Sequence, residues 1–269
     1  MKMKKIELLA PAGNLFKLKI AILYGADAVY IGGKSFSLRA RANNFTNDDI
    51  KEACLFAKEY HAKVYVTMNI IPHDEDFTGL EDYLTFLEKV GVYAIITSSV
   101  HIMETARNLT PKLEVHISTQ LSVANSYSCY YYERLGAKRV VLAREVSLKQ
   151  MKLIREKTKI GLEVFIHGGM CSSFSGRCML SNYYVNRDAN RGGCAHSCRW
   201  NYHLFGEDKK PICKDFFNFG AKDLMGIRFI PELITMGIDS LKIEGRMKSD
   251  YYIATIVKTY RQLIDDVYA

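Results

Sequence analysis

Four of the seven cysteines stand in one short segment of the chain, at Cys171, Cys178, Cys194 and Cys198. Thiolates that come together in a fold share a cation or pair as disulfides. Zinc sites usually contain a tight spacing such as C-x2-C, which the observed C-x6-C-x15-C-x3-C lacks. A [4Fe-4S] cluster takes four cysteines and tolerates irregular spacing, because its ligands come from separate turns. The spacing therefore favours an iron-sulfur cluster, with zinc or unmetallated thiols as alternatives.

A second group is the alternation of Lys242, Glu244 and Arg246. Residues two apart in a strand point to one face, so these three charges are expected side by side. Charges on a covered face are costly unless they meet each other or a bound anion. Polar residues also stand at most other predicted strand ends, including 118–120, 144–145 and 167–169. These ends are expected to form a site.

The hydrophobic pattern predicts the elements that position these residues. Eight short runs rich in β-branched residues alternate with segments of helical period, which is typical of a parallel sheet covered by helices. Eight such units in 269 residues match a TIM-type (β/α)8 barrel, and a doubly wound open sheet is the alternative. The strands are predicted at 6–10, 28–31, 63–68, 93–97, 113–118, 139–143, 162–167 and 240–244.

The helices are predicted between those runs, and the whole chain, 1–269, is expected to be one barrel domain. Thr46 with Asp49, and Ser147 with Gln150, have the spacing of capping boxes. Segment 168–228 shows no clear period and is predicted to be a metal-binding insertion loop after the seventh strand, over the catalytic face. The helices are predicted at 14–24, 46–60, 79–90, 101–109, 126–135, 147–157, 227–236 and 250–268.

The composition is that of a globular protein, with 48% apolar and 25% charged residues. Glu7 and Pro11 interrupt anything like a signal-peptide core, and no run reaches the roughly 20 apolar residues of a spanning helix. We therefore expect a cytoplasmic protein without membrane contact, in which thiols are favoured over disulfides. The net charge of +8 suits an anionic partner.

The cysteine segment carries much of this charge. Between positions 171 and 214, seven Lys or Arg stand against three Asp or Glu. Basic residues among aromatic ones can bind phosphates and stack on bases, although a charged, solvated loop has the same composition. Nucleic-acid contact and plain loop packing both remain open. The residues concerned are Arg187, Arg191, Arg199, Tyr183, Tyr184, Trp200 and Tyr202.

Segment 163–181 reads Glu-Val-Phe-Ile-His-Gly-Gly-Met-Cys-Ser-Ser-Phe-Ser-Gly-Arg-Cys-Met-Leu-Ser. It resembles the signature of the U32 peptidase family, historically described as collagenase-like proteases. The resemblance is highly specific and covers nearly the whole chain. Its other motifs are Leu8–Gly13, Asp27–Gly33, Arg39–Phe45, Ser118–Gln120, Arg187–Cys194, Cys198–Trp200, Lys222–Leu224 and Ser240–Ser249.

The resemblance implies a TIM-type barrel that holds a [4Fe-4S] cluster through the four cysteines and hydroxylates an RNA base or a quinone precursor. The branch that this chain is most similar to makes 5-hydroxyuridine at the wobble position of tRNA, with prephenate as the oxygen-supplying co-substrate. Lys242 or Arg246 would then bind the carboxylates of prephenate, since arginine in particular suits them. The expected substrate-pocket residues are Glu163, His167, Lys242, Glu244 and Arg246.

This chain departs from the family pattern in two ways. Family members usually continue with a further C-terminal domain, so this chain is expected to be truncated, or a short member that needs a partner subunit. Some members also have a cysteine where this chain has Met225. Two other functions stay open, a peptidase that uses Cys213 or one of the four cysteines beside His167 or His196, and a non-catalytic subunit that binds RNA or a partner.

Overall fold

A computed structural model describes residues 5–38 and 44–269. Eight strands pair in parallel around a closed ring, in the order β1-β2-β3-β4-β5-β6-β7-β9 and back to β1. Closure confirms the predicted TIM-type barrel and excludes the open sheet. The strands are β1 Glu7–Pro11, β2 Ala28–Gly32, β3 Lys63–Met68, β4 Ala94–Thr97, β5 Glu114–Ile117, β6 Arg139–Val141, β7 Gly161–Gly168, β8 Leu224–Met225 and β9 Ser240–Ile243.

Helices cover the outside of the barrel, and each predicted helix is present within a few residues of its expected bounds. Both predicted capping boxes are confirmed, since Thr46 and Asp49 bond reciprocally, as do Ser147 and Gln150. The helices are α1 Leu15–Leu23, α2 Asn47–Glu59, α3 Leu80–Lys89, α4 Val100–Leu109, α5 Ser126–Arg134, α6 Leu148–Lys157, α7 Leu180–Val185, α8 Ile230–Met236 and α9 Asp250–Tyr268. In the described ranges no helix is long and apolar enough to cross a membrane.

The alternation of side chains along each strand produces two apolar layers. The larger layer lies between the strands and the helices, and a smaller cluster fills the interior of the barrel. Side chains of alternate strand positions therefore point toward one central axis, as in other TIM barrels. The interior cluster consists of Leu9, Ala28, Tyr30, Tyr65, Ala94, Ile96 and Val141, with Phe165 packed against it.

The two ends of the barrel chain meet where the strands begin. β1 pairs with β9, the last strand of the ring. The backbone N–H of Ile6 donates a hydrogen bond to the hydroxyl of Tyr268 at 2.9 Å, and Lys5 lies 3.3 Å from Asp265. The end of α9 is thereby fixed to the start of β1.

The segment between β7 and β8, residues 169–223, is called the cysteine loop below. It contains α7 and two short 3-10 turns, at Ala189–Arg191 and Ser197–Arg199. Two isolated bridges, Tyr202 with Phe217 and Phe205 with Pro211, fold its later part back on itself. Short β8 then pairs antiparallel with the end of β7. The predicted insertion is therefore present, with more regular structure than its sequence indicates.

Candidate functional site

A cavity of about 380 Å³ opens at the carboxyl ends of the barrel strands. TIM-barrel enzymes hold their substrates at this face, and the volume lies within the roughly 300–1,000 Å³ of small-molecule sites. Strand ends form its floor and walls, and the cysteine loop covers it. The strand-end residues that line it include Tyr30, Thr67, Arg144, Phe165, Lys242 and Arg246.

All four predicted cysteine ligands line this cavity. None is in a disulfide, and only Cys194 among them is exposed. Burial raises the pKa of the Cys178 thiol, and the neighbouring Cys171 and Cys194 raise it further. In residues 5–38 and 44–269, no three Cys, His, Asp or Glu side chains are grouped closely enough to hold a metal ion. The fold brings the four thiols to one cavity, and their binding of a metal stays a prediction.

The surroundings of Cys178 fit a metal-bound thiolate. The backbone N–H groups of Leu180 and Ser181 act to lower the pKa of its thiol, against the effect of burial. The side-chain amide of Asn190 donates to the carbonyl oxygen of Cys178 at 3.1 Å. Hydrogen bonds of this kind orient ligands and stabilise sulfur charge around iron-sulfur clusters. Four sulfur donors at one cavity therefore fit a [4Fe-4S] cluster, and they would also fit zinc.

Ser175 anchors the start of the cysteine loop to the barrel. Its side chain is fully buried, and its Oγ donates to Oε2 of Glu145 at 3.0 Å. The same Oγ accepts a hydrogen bond from the backbone N–H of Arg144 at 3.3 Å. At Gly176 φ is +73°, and a Cβ atom there would overlap a backbone carbonyl just after β5. The loop is thus fixed to the ends of β5 and β6.

Lys242 is held in the cavity floor by a buried ion pair. Its Nζ lies 2.7 Å from Oε1 of Glu163 and 4.5 Å from the centre of the Tyr30 ring. The other carboxylate oxygen of Glu163 accepts a hydrogen bond from Arg139 at 3.2 Å, and Arg139 also pairs with Glu7 at 2.5 Å. Charges of alternating sign therefore run from the cavity floor into the barrel interior.

This network keeps Glu163 ionised. Burial alone would raise the pKa of its carboxyl, but the charges of Lys242 and Arg139 outweigh burial and lower the pKa to about 2. Glu163 is fully buried and does not line the cavity. It was expected in the substrate pocket, whereas the structure places it below Lys242, which it positions.

Arg246 is fixed by the chain that follows β2 and by β3. Its Nη1 donates to Oγ of Ser37 and to Oγ1 of Thr67, both at 3.0 Å. Its Nη2 donates to the carbonyl oxygen of Leu38 at 2.8 Å. A Cβ atom at Gly32 would overlap the guanidinium, so only glycine leaves room for it. Arg246 therefore lines the cavity as expected, and protein oxygens already bind it.

His167 points away from the cavity. Its Nδ1 lies 3.2 Å from the hydroxyl of Tyr260 on α9, and its ring packs against Tyr252. The pairing of β7 with β9 slips between Phe165 and His167, so His167 lies beside the outward-facing Ile243. His167 was expected to line the substrate pocket. The shift in strand register interrupts the usual alternation of side chains between the two faces of β7, and the His167 side chain faces α9 instead. Burial lowers the pKa of this histidine.

Glu244 lines the cavity beside the cysteine loop. Glu244 and Arg199 both lie close to Gly169. A Cβ atom placed on Gly169 would be 3.5 Å from Oε2 of Glu244 and 3.3 Å from Nη2 of Arg199. Arg199 also lines the cavity. Arg199 lies 3.8 Å from Asp223. The predicted convergence of Lys242, Glu244 and Arg246 on one cavity therefore holds, while Lys242 and Arg246 have separate protein partners.

The sequence matches the family described as Peptidase family U32 over residues 13–269. This chain belongs to peptidase family U32. The solved U32 peptidase Mk0906 has the same fold, with a TM-score of 0.58 and 14% identity over 89% of this chain and 93% of that one.

Two curated relatives of this U32 chain have different names. One is "tRNA hydroxylation protein P1" of Bacillus subtilis, 52% identical over 97% of this chain and 64% of its own length. The other is "Uncharacterized protease MJ0090" of Methanocaldococcus jannaschii, 41% identical over 98% of this chain and 66% of its own length. The present chain thus spans only part of each relative.

Sequence reasoning missed some residues of this U32 site. Ser175 carries no pattern that distinguishes it from other loop serines, and Arg144 is one polar strand end among many. The motif 39–45 of the family resemblance lies partly outside the described residues, since 39–43 are not among them. Two glycines could have indicated the site from the sequence. The Arg246 guanidinium packs against Gly32, and the backbone of Gln120 packs against Gly176.

Proposed function

We propose that this U32 chain is an iron-sulfur-dependent enzyme that hydroxylates RNA. The specific reaction we propose is conversion of the wobble uridine of tRNA to 5-hydroxyuridine, with prephenate as co-substrate. The observation that carries the proposal is that four thiols and several cations line one cavity of a barrel's catalytic face. The 52% identical relative is named a tRNA hydroxylation protein, which supports hydroxylation of tRNA.

Cys171, Cys178, Cys194 and Cys198 would hold a [4Fe-4S] cluster. When bound there, such a cluster supplies single electrons beside the substrate. Residues of the chain itself would position the cysteine ligands and stabilise their charge. Ser175 fixes the loop that carries the first two ligands, and the N–H groups after Cys178 stabilise its sulfur charge.

RNA would contact the cysteine loop near the cavity mouth. Tyr184 packs against Trp200 and Tyr202, with ring centroids 6.2 and 5.5 Å apart. Trp200, Tyr183 and Tyr184 remain exposed, so aromatic faces are available for stacking on unpaired bases. A wobble base in an anticodon loop is already unpaired, and it would enter the cavity without opening a duplex. Basic residues of the loop would hold the phosphates.

The relatives are longer than this chain, so RNA binding is proposed to involve more than the barrel. A further domain, or a partner subunit, would extend the basic surface beyond the cysteine loop. Comparing the affinity of this chain for tRNA with that of a relative over its whole length tests this part of the proposal. Equal affinities would contradict it.

Peptidase activity is the second candidate, and two observations favour it. The 41% identical relative is named a protease, and His196 lines the same cavity as Cys194 and Cys198. A cysteine nucleophile beside a histidine base is a known catalytic pair. Cys213 is exposed outside that cavity, and His167 faces α9, so neither completes such a pair there.

The test is nucleoside mass spectrometry of tRNA from a host that lacks wobble hydroxylation and expresses this chain. 5-Hydroxyuridine in the wild type, absent in Cys178→Ala and retained in Cys213→Ala, is the expected result. Cys213 is the matched control, because it belongs to the same loop but does not line the cavity. Peptide cleavage without hydroxylation would favour the peptidase, and RNA binding without either reaction would favour a non-catalytic subunit.

A further inference from the structure

The guanidinium of Arg144, just after β6, lines the cavity. Its Nε is buried without a hydrogen-bond partner. Across residues 5–38 and 44–269, this guanidinium has no ion pair or hydrogen bond to protein, and the only bond of the residue is from its backbone N–H to Ser175. The neighbouring carboxylate of Glu145 bonds to Ser175 instead. A positive charge with buried atoms thus lacks a counter-ion.

The other cations deep in the cavity differ from Arg144. Lys242 is neutralised by Glu163, and both terminal nitrogens of Arg246 donate hydrogen bonds to protein oxygens. The family resemblance implied these two for binding carboxylates, yet protein groups already bind the Lys242 ammonium and the terminal nitrogens of Arg246. Leaving a partly buried charge without a counter-ion is unfavourable, so a bound anion would be stabilised most at Arg144.

The surroundings of Arg144 indicate what the rest of the ligand is like. The cavity wall beside it includes the side chains of Val141, Phe165 and Met170. A small adjoining hollow, which Arg144 also lines, is formed mostly by apolar residues such as Leu142, Met151 and Leu224. A planar guanidinium matches a carboxylate with two parallel hydrogen bonds. The site therefore suits a compact molecule that has an apolar body and a carboxylate.

We propose that Arg144 binds the carboxylate of a small-molecule co-substrate in this cavity. The inference rests on the proposed function and assigns the anion contact to a residue that the sequence did not single out. A backbone phosphate of RNA is the competing source of an anionic group. It is disfavoured because the Arg144 Nε is buried inside the cavity, while nucleic-acid phosphates are bound at exposed basic surfaces.

Calorimetric titration of the purified chain with benzylmalonate tests the inference. Dimethyl benzylmalonate is the neutral probe, and a 5′-phosphorylated trinucleotide is the RNA probe. The variants are Arg144→Met, Arg144→Lys and the exposed control Arg134→Met on α5, with melting curves to confirm folding. We expect the wild type and Arg134→Met to bind benzylmalonate alike. We expect about tenfold weaker binding in Arg144→Met, partial recovery in Arg144→Lys, and no binding of the diester.

Equal binding of benzylmalonate by Arg144→Met and the wild type, or none by either, would overturn the inference. So would an effect of Arg144→Met on the trinucleotide alone, which would assign the residue to RNA phosphate. The proposed function is tested by a separate measurement, because its readout is the hydroxylated nucleoside in tRNA. Carboxylate binding that depends on Arg144 in a chain that never hydroxylates RNA would leave this inference standing and remove the proposed reaction.

Discussion

The Nζ of Lys242 lies 2.7 Å from Oε1 of Glu163, with the glutamate fully buried and the lysine 4% exposed. Lys19 and Glu52 make an ion pair of the same length on the helical surface. The two pairs differ in burial, so they offer a matched comparison. Breaking a buried pair leaves an uncompensated charge in the interior, whereas surface pairs contribute little.

We therefore expect Glu163→Gln to lower the free energy of unfolding by about 3–5 kcal/mol, because Lys242 and Arg139 lose their shared counter-charge. Glu52→Gln should change it by less than about 1 kcal/mol. Urea unfolding followed by circular dichroism measures both. Similar small losses in the two variants would show that the buried pair is not the stabilising contact that its geometry indicates.

The same carboxylate makes stability depend on pH. The pKa of Glu163 is lowered from an ordinary 4.5 to about 2 in the fold. Its contribution is therefore fully present above pH 4.5 and is lost as the pH falls toward 2. Unfolding curves across this range should fall more steeply for the wild type than for Glu163→Gln combined with Lys242→Met. Parallel pH profiles would contradict this expectation.

Iron content tests the proposed cluster directly. After anaerobic purification, we expect about four irons and four sulfides per wild-type chain, with broad absorption near 400 nm. Cys178→Ala should lose them and Cys213→Ala should keep them, since Cys178 lines the cavity and Cys213 does not. Stoichiometric zinc in the wild type, or iron retained in Cys178→Ala, would sink the assignment of these ligands.

Ser175→Ala should loosen the cysteine loop without unfolding the barrel. The variant removes a buried hydroxyl that bonds Glu145 and the backbone of Arg144. We expect amide exchange around Gly176 to become about tenfold faster, while β7 stays protected. Ser172→Ala is the control, because Ser172 is exposed in the same loop. Equal exchange in both variants would show that Ser175 is not the anchor.

Most of the barrel was predictable, because each of the eight barrel strands is a short buried run and each of the eight predicted helices has a cap or a clear period. The eight predicted strands and α9 are all present within one or two residues. The helix α7 was not predicted, since six residues without a side-chain cap leave no recognisable period. Short β8 is held by its pairing with β7 rather than by its own sequence.

The site was predictable only where its residues form a local pattern, and not where it depends on contacts between residues far apart in the sequence. The cysteines and the alternation 242–246 were visible as local patterns. The pairing of Lys242 with Glu163 depends on how β7 and β9 align, and the binding of Arg246 depends on Ser37 and Thr67, far away in the sequence. His167 was misplaced because a slip in strand pairing leaves no mark in the hydrophobic pattern.

The junction of Ile6 with Tyr268 has a practical consequence. The first strand begins and the last helix ends at the face of the barrel opposite the cavity, because α9 runs back from the carboxyl ends of the strands. A surface tether attached beside Ile6 or Tyr268 would therefore present the cysteine loop to the solution. Sensor-based binding measurements with tRNA are therefore feasible from either attachment point.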